Sequence, residues 1–195
     1  MNAFSYILEH IEGTVLFVSL LIAGVAVVLR FFDIQSKSSR RRILKEEFDA
    51  AIRQLSSESE TNRLAAAILI RRFFTAERGC YRNETIYVLS SLLRVVPTGV
   101  FQKTLADGLA YGHDLSKADL QKTNLQDAYI GSKEQVTTDM RETDLFQADL
   151  SNALIERIDG RKAVFYQSNL QHARIKYSDL SEANFSMADL NHIGL

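Results

Sequence analysis

The 195-residue chain has one cysteine, Cys80, and one proline, Pro97. A single thiol forms no disulfide within its own chain. Cys80 therefore reads as a small hydrophobic side chain for a core rather than as a nucleophile. One proline excludes a linker-like or low-complexity chain. No sign of charge dominates either: 23 basic and 24 acidic residues leave a net of −1, so no global field draws the chain to nucleic acid or makes it a polyanion. There is no glycine-rich phosphate loop, H-E-x-x-H, G-x-S-x-G or CxxC. His10, His113, His172 and His192 lack metal-ligand spacing. No catalytic residue, cofactor or metal is expected, and the chain does not read as an enzyme. The many aspartates of the second half could in principle form an acid–base pair, but local turn bonds or solvation are expected of them instead.

What is present begins with "GTVLFVSLLIAGVAVVL", Gly13 to Leu29, a run without a single charge. A helix needs about 20 apolar residues to cross the hydrocarbon, and Arg30 can snorkel while Phe31 and Phe32 stay in the interface. The run is apolar on every side, unlike a helix with one face in a core. Before it stand Glu9 and Glu12 and no lysine or arginine, the reverse of a cleaved leader. The expectation is a retained span over 13–32 after a short tail, 1–12. The basic residues Arg30, Lys37, Arg40, Arg41, Arg42 and Lys45 follow it, and such residues stay on the cytoplasmic side. The expected location is the inner (cytoplasmic) membrane, single-pass, with the N-terminus outside and the remainder in the cytoplasm. The RRR cluster is placed to meet anionic headgroups. Ser19 and Ala23 form a small-xxx-small pair of the kind that lets helices associate in a bilayer.

From 33 to 112 the apolar period is helical. Leu44, Phe48, Ile52 and Leu55 recur at three- and four-residue steps, with Ser38 or Ser39 available as a cap. A loop over Ser56–Thr61 leads to a second helix over Thr61–Ala76, stopped by Gly79. A third, capped by Asn83, ends before Pro97. A fourth lies within Gly99–Gly112, with Phe101, Leu105 and Leu109 on one stripe.

From 113 to 195 the period is five. Of the places numbered 115, 120 and so on to 195, all except Gln135 and Gly160 hold an apolar side chain. Two places earlier stands, in most units, Ala, Ser or Thr, as at Ala118, Thr123, Ala148, Ser168 and Ala188. The place between is often Asp or Asn. One large and one small residue per unit point inward, and the next two places point out. A fixed period over so many units signals a repeat architecture, stacked at the strand spacing of about 4.8 Å.

The units "KADLQ", "QADLS", "EANFS" and "MADLN" resemble the A(D/N)LXX pattern of the pentapeptide-repeat family, and the resemblance extends from 114 to 195. It implies a right-handed quadrilateral β-helix with four units to a turn. The whole fold class expected is then α+β: a transmembrane helix, a small α-helical region, and the β-helix. Four units per turn would put Leu125, Leu145, Phe165 and Phe185 in one column and Ile130, Leu150, Leu170 and Leu190 in another. The units would make a little over four turns, a rod about 20 Å long. At Gly160 the large residue is missing and Ile158 replaces the small one, a compensated swap. At Gln135 nothing compensates, since Lys133 fills the small place. Residues 131–137 are therefore expected to bulge from the second turn, with Lys133, Glu134 and Gln135 as candidate partner contacts.

Most members of the family have no known enzymatic activity, and some bacterial ones carry a HEAT-like helical segment before the repeats, as 33–112 does here. The resemblance thus implies a non-enzymatic, membrane-anchored scaffold or protein-interaction module. Its partners are the lipid bilayer and another protein or a second copy. A solenoid needs capped ends, and the last turn, with Leu190, Ile193 and Leu195, is the expected place of self-association. Other members mimic DNA and bind type II topoisomerases. Residues 114–195 hold 13 acidic and 9 basic residues, a net of −4, too mild for that role, so nucleic acid is not an expected partner. A third reading is a subunit or effector of a larger membrane complex.

Overall fold

The computed structural model describes residues 29–30, 33–75, 79–132 and 136–194. The predicted tail, nearly all of the predicted span, and the candidate contacts Lys133, Glu134, Gln135 and Leu195 lie outside the described residues. Among the described residues no helix is long and apolar enough to cross a membrane. The chain divides into two compact units, Met1–Glu47 and Phe48–Leu195.

A helix, α1, runs over 33–55 and contributes to both. It starts before Ser38, whose hydroxyl donates to the Gln35 carbonyl within the helix rather than capping it. In the first unit nearly every described residue is exposed. In the second, Phe48, Ala51 and Leu55 are buried, and the Phe48 ring stacks on Tyr81 at 4.7 Å and meets Phe73 edge-on at 4.9 Å. Helix α2, Glu60–Leu69, is capped by Ser59, whose side chain accepts from the Asn62 N–H. The predicted second helix is shorter than expected: its last turn tightens into a 3₁₀ segment, Ile70–Phe74. Helix α3, Arg82–Leu93, starts one residue before the expected cap. Asn83 accepts from the Arg82 guanidinium instead. Helix α4, Val100–Leu109, buries Leu105 and Leu109 as its stripe predicts. Cys80 is exposed, contrary to expectation.

Residues 114–194 form the stacked coil. Its described strands are β1 (Tyr129–Gly131), β2 (Thr138–Asp139), β3 (Leu154–Glu156), β4 (Ile158–Asp159) and β5 (Arg174–Lys176). They pair in parallel in the orders β1-β3-β5 and β2-β4. Single bridges such as Asp144 to Val164 and Val164 to Asn184 complete the other walls. The large residue of each unit faces the interior. Leu115, Leu120, Leu125, Ile130, Met140, Leu145, Leu150, Ile155, Phe165, Leu170 and Ile175 are all buried. Burial of one such side chain stabilises by about 1.5–3 kcal/mol, so this row supplies most of the coil's driving force.

Two features make the corners. At eleven units the Asp or Asn before the large residue accepts, through its side-chain oxygen, from the backbone N–H two places on, at 2.9–3.4 Å. This is the turn bond that a short polar side chain makes readily. The next residue, from Lys117 to His192 in 14 places, has φ between 52° and 60°, and none of the 14 is glycine. A left-handed non-glycine residue is unfavourable alone. In ten of them, from Lys117 to His172, the N–H is tied to the following turn, as Lys117 is to the Arg141 carbonyl at 2.9 Å, which holds the conformation.

The columns differ from those predicted. After Thr138 a turn takes four units, so that Thr138 pairs with Ile158. Before it a turn takes five: Tyr129 pairs with Leu154, and Asn124 bridges to Asp149. The first turn thus carries one extra unit. The columns are therefore Leu120, Leu145, Phe165, Phe185, and Leu125, Leu150, Leu170, Leu190. The extra unit belongs to the first turn and not to the second. The expected stacking of Phe165 on Phe185 is present, with ring centres 4.7 Å apart and planes within 6°. Gly131 marks where the insertion leaves the ladder. Its φ is +131°, and a Cβ there would lie 1.7 Å from the Glu156 carbonyl oxygen. Ser132, next to it, is fully buried, and the expected bulge otherwise falls largely on residues outside the described ones.

The Gly160 exchange is as read from sequence. Ile158 is buried, and a Cβ at Gly160 would meet its Cδ1 at 3.2 Å and Leu180 Cδ2 at 2.7 Å. Gly160→Leu should cost about 2 kcal/mol by overpacking, and Ile158→Ala about 3 kcal/mol. The double variant should recover at least about 1 kcal/mol of the sum. Urea unfolding of the four proteins checks this, and strict additivity would mean that the two side chains do not share one space.

Candidate interaction surfaces

In a solenoid each turn's backbone groups pair with the turns on either side, so the two ends carry groups without partners. At the first turn, the missing preceding turn is replaced by the helices. The Asn124 N–H donates to the Leu93 carbonyl at 2.8 Å, and the Tyr129 N–H to Asp107 Oδ1 at 2.9 Å. Arg94 donates to the carbonyls of Gln121 (2.9 Å) and Asp119 (3.2 Å) and pairs with the Asp119 carboxylate at 2.8 Å. Gln102, buried on α4, donates from Nε2 to the carbonyls of Asn124 (2.9 Å) and Gln126 (3.2 Å). Lys103 reaches the Asp127 carbonyl. At the start of α3, Arg82 pairs with Asp114.

Between Arg82 and Arg94, α3 and the first turn leave a cleft of about 300 Å³. Its walls include Ile86, Tyr87 and Ser90 on one side and Ser116, Lys117 and Asp119 on the other.

At the last turn no such cover is seen among the described residues. The N–H groups of Leu180, Glu182, Phe185, Met187, Leu190 and His192 have no protein acceptor there. Leu180, Phe185 and Ile193 are half-buried, and Leu190 is 40% exposed. The predicted contact residues Leu190 and Ile193 thus sit together on one apolar end, joined by Leu180 and Phe185.

The walls between the ends are written in columns. One carries Asp139, Asp159 and Asp179 beside Arg141 and Arg161. Arg141 grips Asp139 through Nε (2.9 Å) and Nη2 (2.6 Å), and Arg161 grips Asp159 likewise at 2.8 Å for both. Each arginine also faces the next carboxylate, at 3.8 and 3.9 Å. Side-chain hydrogen bonds from these arginines hold the carboxyls of Asp139 and Asp159 below their ordinary pKa. Asp179 and Asp189 are lowered first by side-chain bonds from Ser181 and Gln171. A second column stacks Phe146 on Tyr166 at 5.7 Å and places Tyr166 Oη 3.1 Å from Met187 Sδ. A third stacks His172 on His192 at 4.9 Å. A fourth sets Arg157 over the Tyr177 ring at 5.2 Å. The carboxylates are spent on turns and arginines along separate rungs and do not converge on a shared proton or substrate position.

The predicted membrane-flanking residues Arg30, Lys37, Arg40, Arg41, Arg42 and Lys45 are all exposed in helical segments. Lys37 pairs with Asp33 at 2.6 Å and Arg42 with Glu46 at 3.2 Å, each one helical turn apart. The edge-sealing residues Arg94, Gln102, Lys103 and Asp107 are absent from the sequence reading. Polar residues on a helix read as its solvated face until the partner turn is known.

A closed four-walled coil of five-residue units defines a pentapeptide-repeat solenoid. The family model for pentapeptide repeats matches residues 143–181 and 161–193, in eight copies, so the likeness to that family lies in the repeat. The fold is that of a protein-interaction module, a right-handed β-helix whose relatives are generally non-enzymatic. No curated protein sequence matches the chain. Among solved structures, HetL from the cyanobacterium Nostoc sp. strain PCC 7120, a pentapeptide repeat protein involved in heterocyst differentiation regulation, is 21% identical with a TM-score of 0.38, over 42% of this chain and 36% of that one. A pentapeptide repeat protein of the Arabidopsis thaliana thylakoid lumen is 21% identical with a TM-score of 0.19, over 42% and 61%. QnrB1, a plasmid-mediated fluoroquinolone resistance protein, is 23% identical with a TM-score of 0.20, over 37% and 34%. The chain spans between about one third and two thirds of these proteins' lengths, and the likeness is to their repeat.

The sealed edge and the arginine column can each be tested. Gln102→Ala leaves the half-buried carbonyls of Asn124 and Gln126 without that donor and should cost about 1 kcal/mol, read as a lower urea midpoint at unchanged slope. Asp139 and Asp159 have folded-state pKa values below those of the unfolded chain. Their contribution is complete above the unfolded value of about 3.9 and is lost as pH falls through the lowered folded values. Asp139→Asn with Asp159→Asn should therefore be less stable than the parent at neutral pH and lose less stability below about pH 4. Urea midpoints at several acid pH values measure this, and parallel curves would refute it.

Proposed function

We propose that the chain is a non-enzymatic scaffold, anchored in the membrane by residues 13–32, that presents its β-helix to other proteins on the cytoplasmic side. The observation that carries the interaction role is the last described turn, where unpaired N–H groups and the apolar side chains of Leu180, Phe185, Leu190 and Ile193 occupy one surface. Strand edges of this kind recruit partners, and a second copy of this chain is the partner we assign to it. A head-to-tail filament is disfavoured because α3 and α4 occupy the opposite edge, which leaves a closed two-fold contact. The anchor is supported by the charge-free run Gly13–Leu29, and its orientation by the exposed basic residues from Arg30 to Lys45. Two other roles, topoisomerase modulation by DNA mimicry and membership of a larger membrane complex, find less support. Arg141, Arg161 and Lys162 break the acidic columns, and a bilayer tether removes free access to DNA.

Alkaline carbonate extraction of native membranes should leave the chain in the pellet, and release into the supernatant would overturn the anchor. Sedimentation of the intact chain in detergent should give a dimer, and Phe185→Glu with Leu190→Glu a monomer of unchanged circular dichroism. A parent chain that is monomeric at tens of micromolar would remove the end-to-end contact.

A further inference from the structure

The helices seal the first turn from Gln121 to Asn124 and from Gln126 to Tyr129, and leave the stretch from Asp114 to Asp119 open but for the Arg94 contact to the Asp119 carbonyl. In later turns the backbone shows what that wall lacks. The Arg141 carbonyl accepts from the Lys117 N–H of the preceding turn at 2.9 Å, and the Asp144 N–H donates to the preceding Ala118 carbonyl at 2.9 Å. Their first-turn equivalents, one step of five units earlier, are the Ser116 carbonyl and the Asp119 N–H. On the neighbouring walls the equivalent groups are taken: the Gln121 carbonyl by Arg94, the Asn124 N–H by Leu93, the Gln126 carbonyl by Gln102 and the Tyr129 N–H by Asp107. Among the described residues, the Ser116 carbonyl and the Asp119 N–H have no protein partner, nor do the N–H and carbonyl of Asp114.

This open stretch borders the cleft under α3. Ser116, Lys117, Ala118 and Asp119 form its floor, and Ile86, Tyr87 and Ser90 face them. Tyr87 is 70% exposed, although it lies over an apolar wall. The Arg82–Asp114 pair closes one end and the Arg94–Asp119 pair the other. At about 300 Å³ the cleft stands at the lower limit of ligand sites. Its free groups are a main-chain acceptor and a main-chain donor, spaced as an adjoining strand would meet them. Such an edge selects an extended peptide by its backbone, while the side walls select one or two side chains.

We propose that this cleft is a peptide-docking site, in which a short extended segment of a partner protein takes the place of a missing preceding turn. Its main chain donates to the Ser116 carbonyl and accepts from the Asp119 N–H, and one apolar side chain lies between Ile86 and Ala118. The inference rests on the reading of the chain as an interaction module and adds a second place of contact, separate from the last turn.

The probe is a labelled peptide of residues 137–144, TTDMRETD, the segment that occupies the corresponding place above Gly160. It is titrated into the intact chain in detergent and followed by fluorescence anisotropy. Saturable binding is expected, with Kd between about 1 µM and 1 mM. Asn83→Trp, at an exposed position on the rim, should weaken it at least about fivefold with an unchanged melting temperature. The same peptide N-methylated at the amides of Met140 and Glu142 should not bind. No saturation up to about 1 mM with the parent chain overturns the proposal. So does binding that survives Asn83→Trp, which would place the peptide at the last turn, and so does binding of the N-methylated peptide, which would exclude backbone recognition. The dimer is read separately by sedimentation, so a failed titration leaves the end-to-end contact standing.

Discussion

The structure depends on backbone hydrogen bonds between successive turns. Among the described residues the longest strands have three residues. Within a turn the small residue's N–H is met by the carbonyl three places earlier, as Ala148 is by Leu145 at 3.0 Å; the other groups need the neighbouring turns, and a buried unpaired N–H or carbonyl costs about 1–3 kcal/mol. Stability therefore propagates from turn to turn, and the ends decide whether the stack holds. The helical region answers this at one end with two kinds of partner. Leu93, in the last turn of α3, has a carbonyl with no acceptor role inside its own helix, and the Asn124 N–H is an orphan of the first turn. Each is the other's missing partner, at 2.8 Å. Five further carbonyls of that edge are reached by side chains long enough to span from a helix surface to a strand edge, those of Arg94, Gln102 and Lys103.

The columns impose a second constraint on the exterior. A residue and its counterpart one turn later sit one strand spacing apart, about 4.8 Å, so a repeated charge would face itself along the whole coil. The Asp139, Asp159, Asp179 column avoids that by inserting Arg141 and Arg161 between the carboxylates. Elsewhere rings are stacked, as with Phe146 on Tyr166 and His172 on His192, where planarity makes the short repeat favourable. The outer walls are consequently mixed in charge and partly aromatic, which suits protein contact and is unlike the even polyanionic surface of a nucleic acid.

How much of this is legible in the sequence follows from which interactions are local. The five-residue period is local, since each Leu or Phe answers to its own corner, and the inward set is plain from Leu115 to Leu190. The Ile158–Gly160 exchange joins near neighbours and is equally plain. The columns are not, because the insertion after Ser132 has the length of one unit. It keeps the period of five intact while shifting the turns by a wall, so Leu120, not Leu125, stands over Leu145. Only Gly131, with a conformation closed to other residues, signals the departure, and a glycine beside a serine has many other readings. Gln102 and Arg94 are invisible for a different reason, since their partners lie far along the chain in another kind of element. Cys80 belongs in a core by residue type, but it falls in the short 3₁₀ turn Gly79–Tyr81, which buries none of its side chains.

The two ends of the coil are unequal, and in a linear array that inequality sets a gradient. Turns one to three bury their large residues almost completely, whereas in the fourth Leu190 is 40% exposed and Phe185 only half-buried. Each turn gains packing from a neighbour on both sides, and the fourth has a described neighbour on one side alone. Opening therefore costs least at that turn and rises toward the sealed edge, as expected when local stability follows contact density. A surface that opens easily is poorly suited to rigid, preorganised chemistry, but it gains most from a partner that packs against it, because the same contacts then bind and fold it. The open wall beneath α3 differs in kind. It is an edge held in place by the Arg82–Asp114 and Arg94–Asp119 pairs, so a segment meeting it finds its donor and acceptor already positioned. One fold thus carries an end that a partner would stabilise and a cleft bordered by two ion pairs.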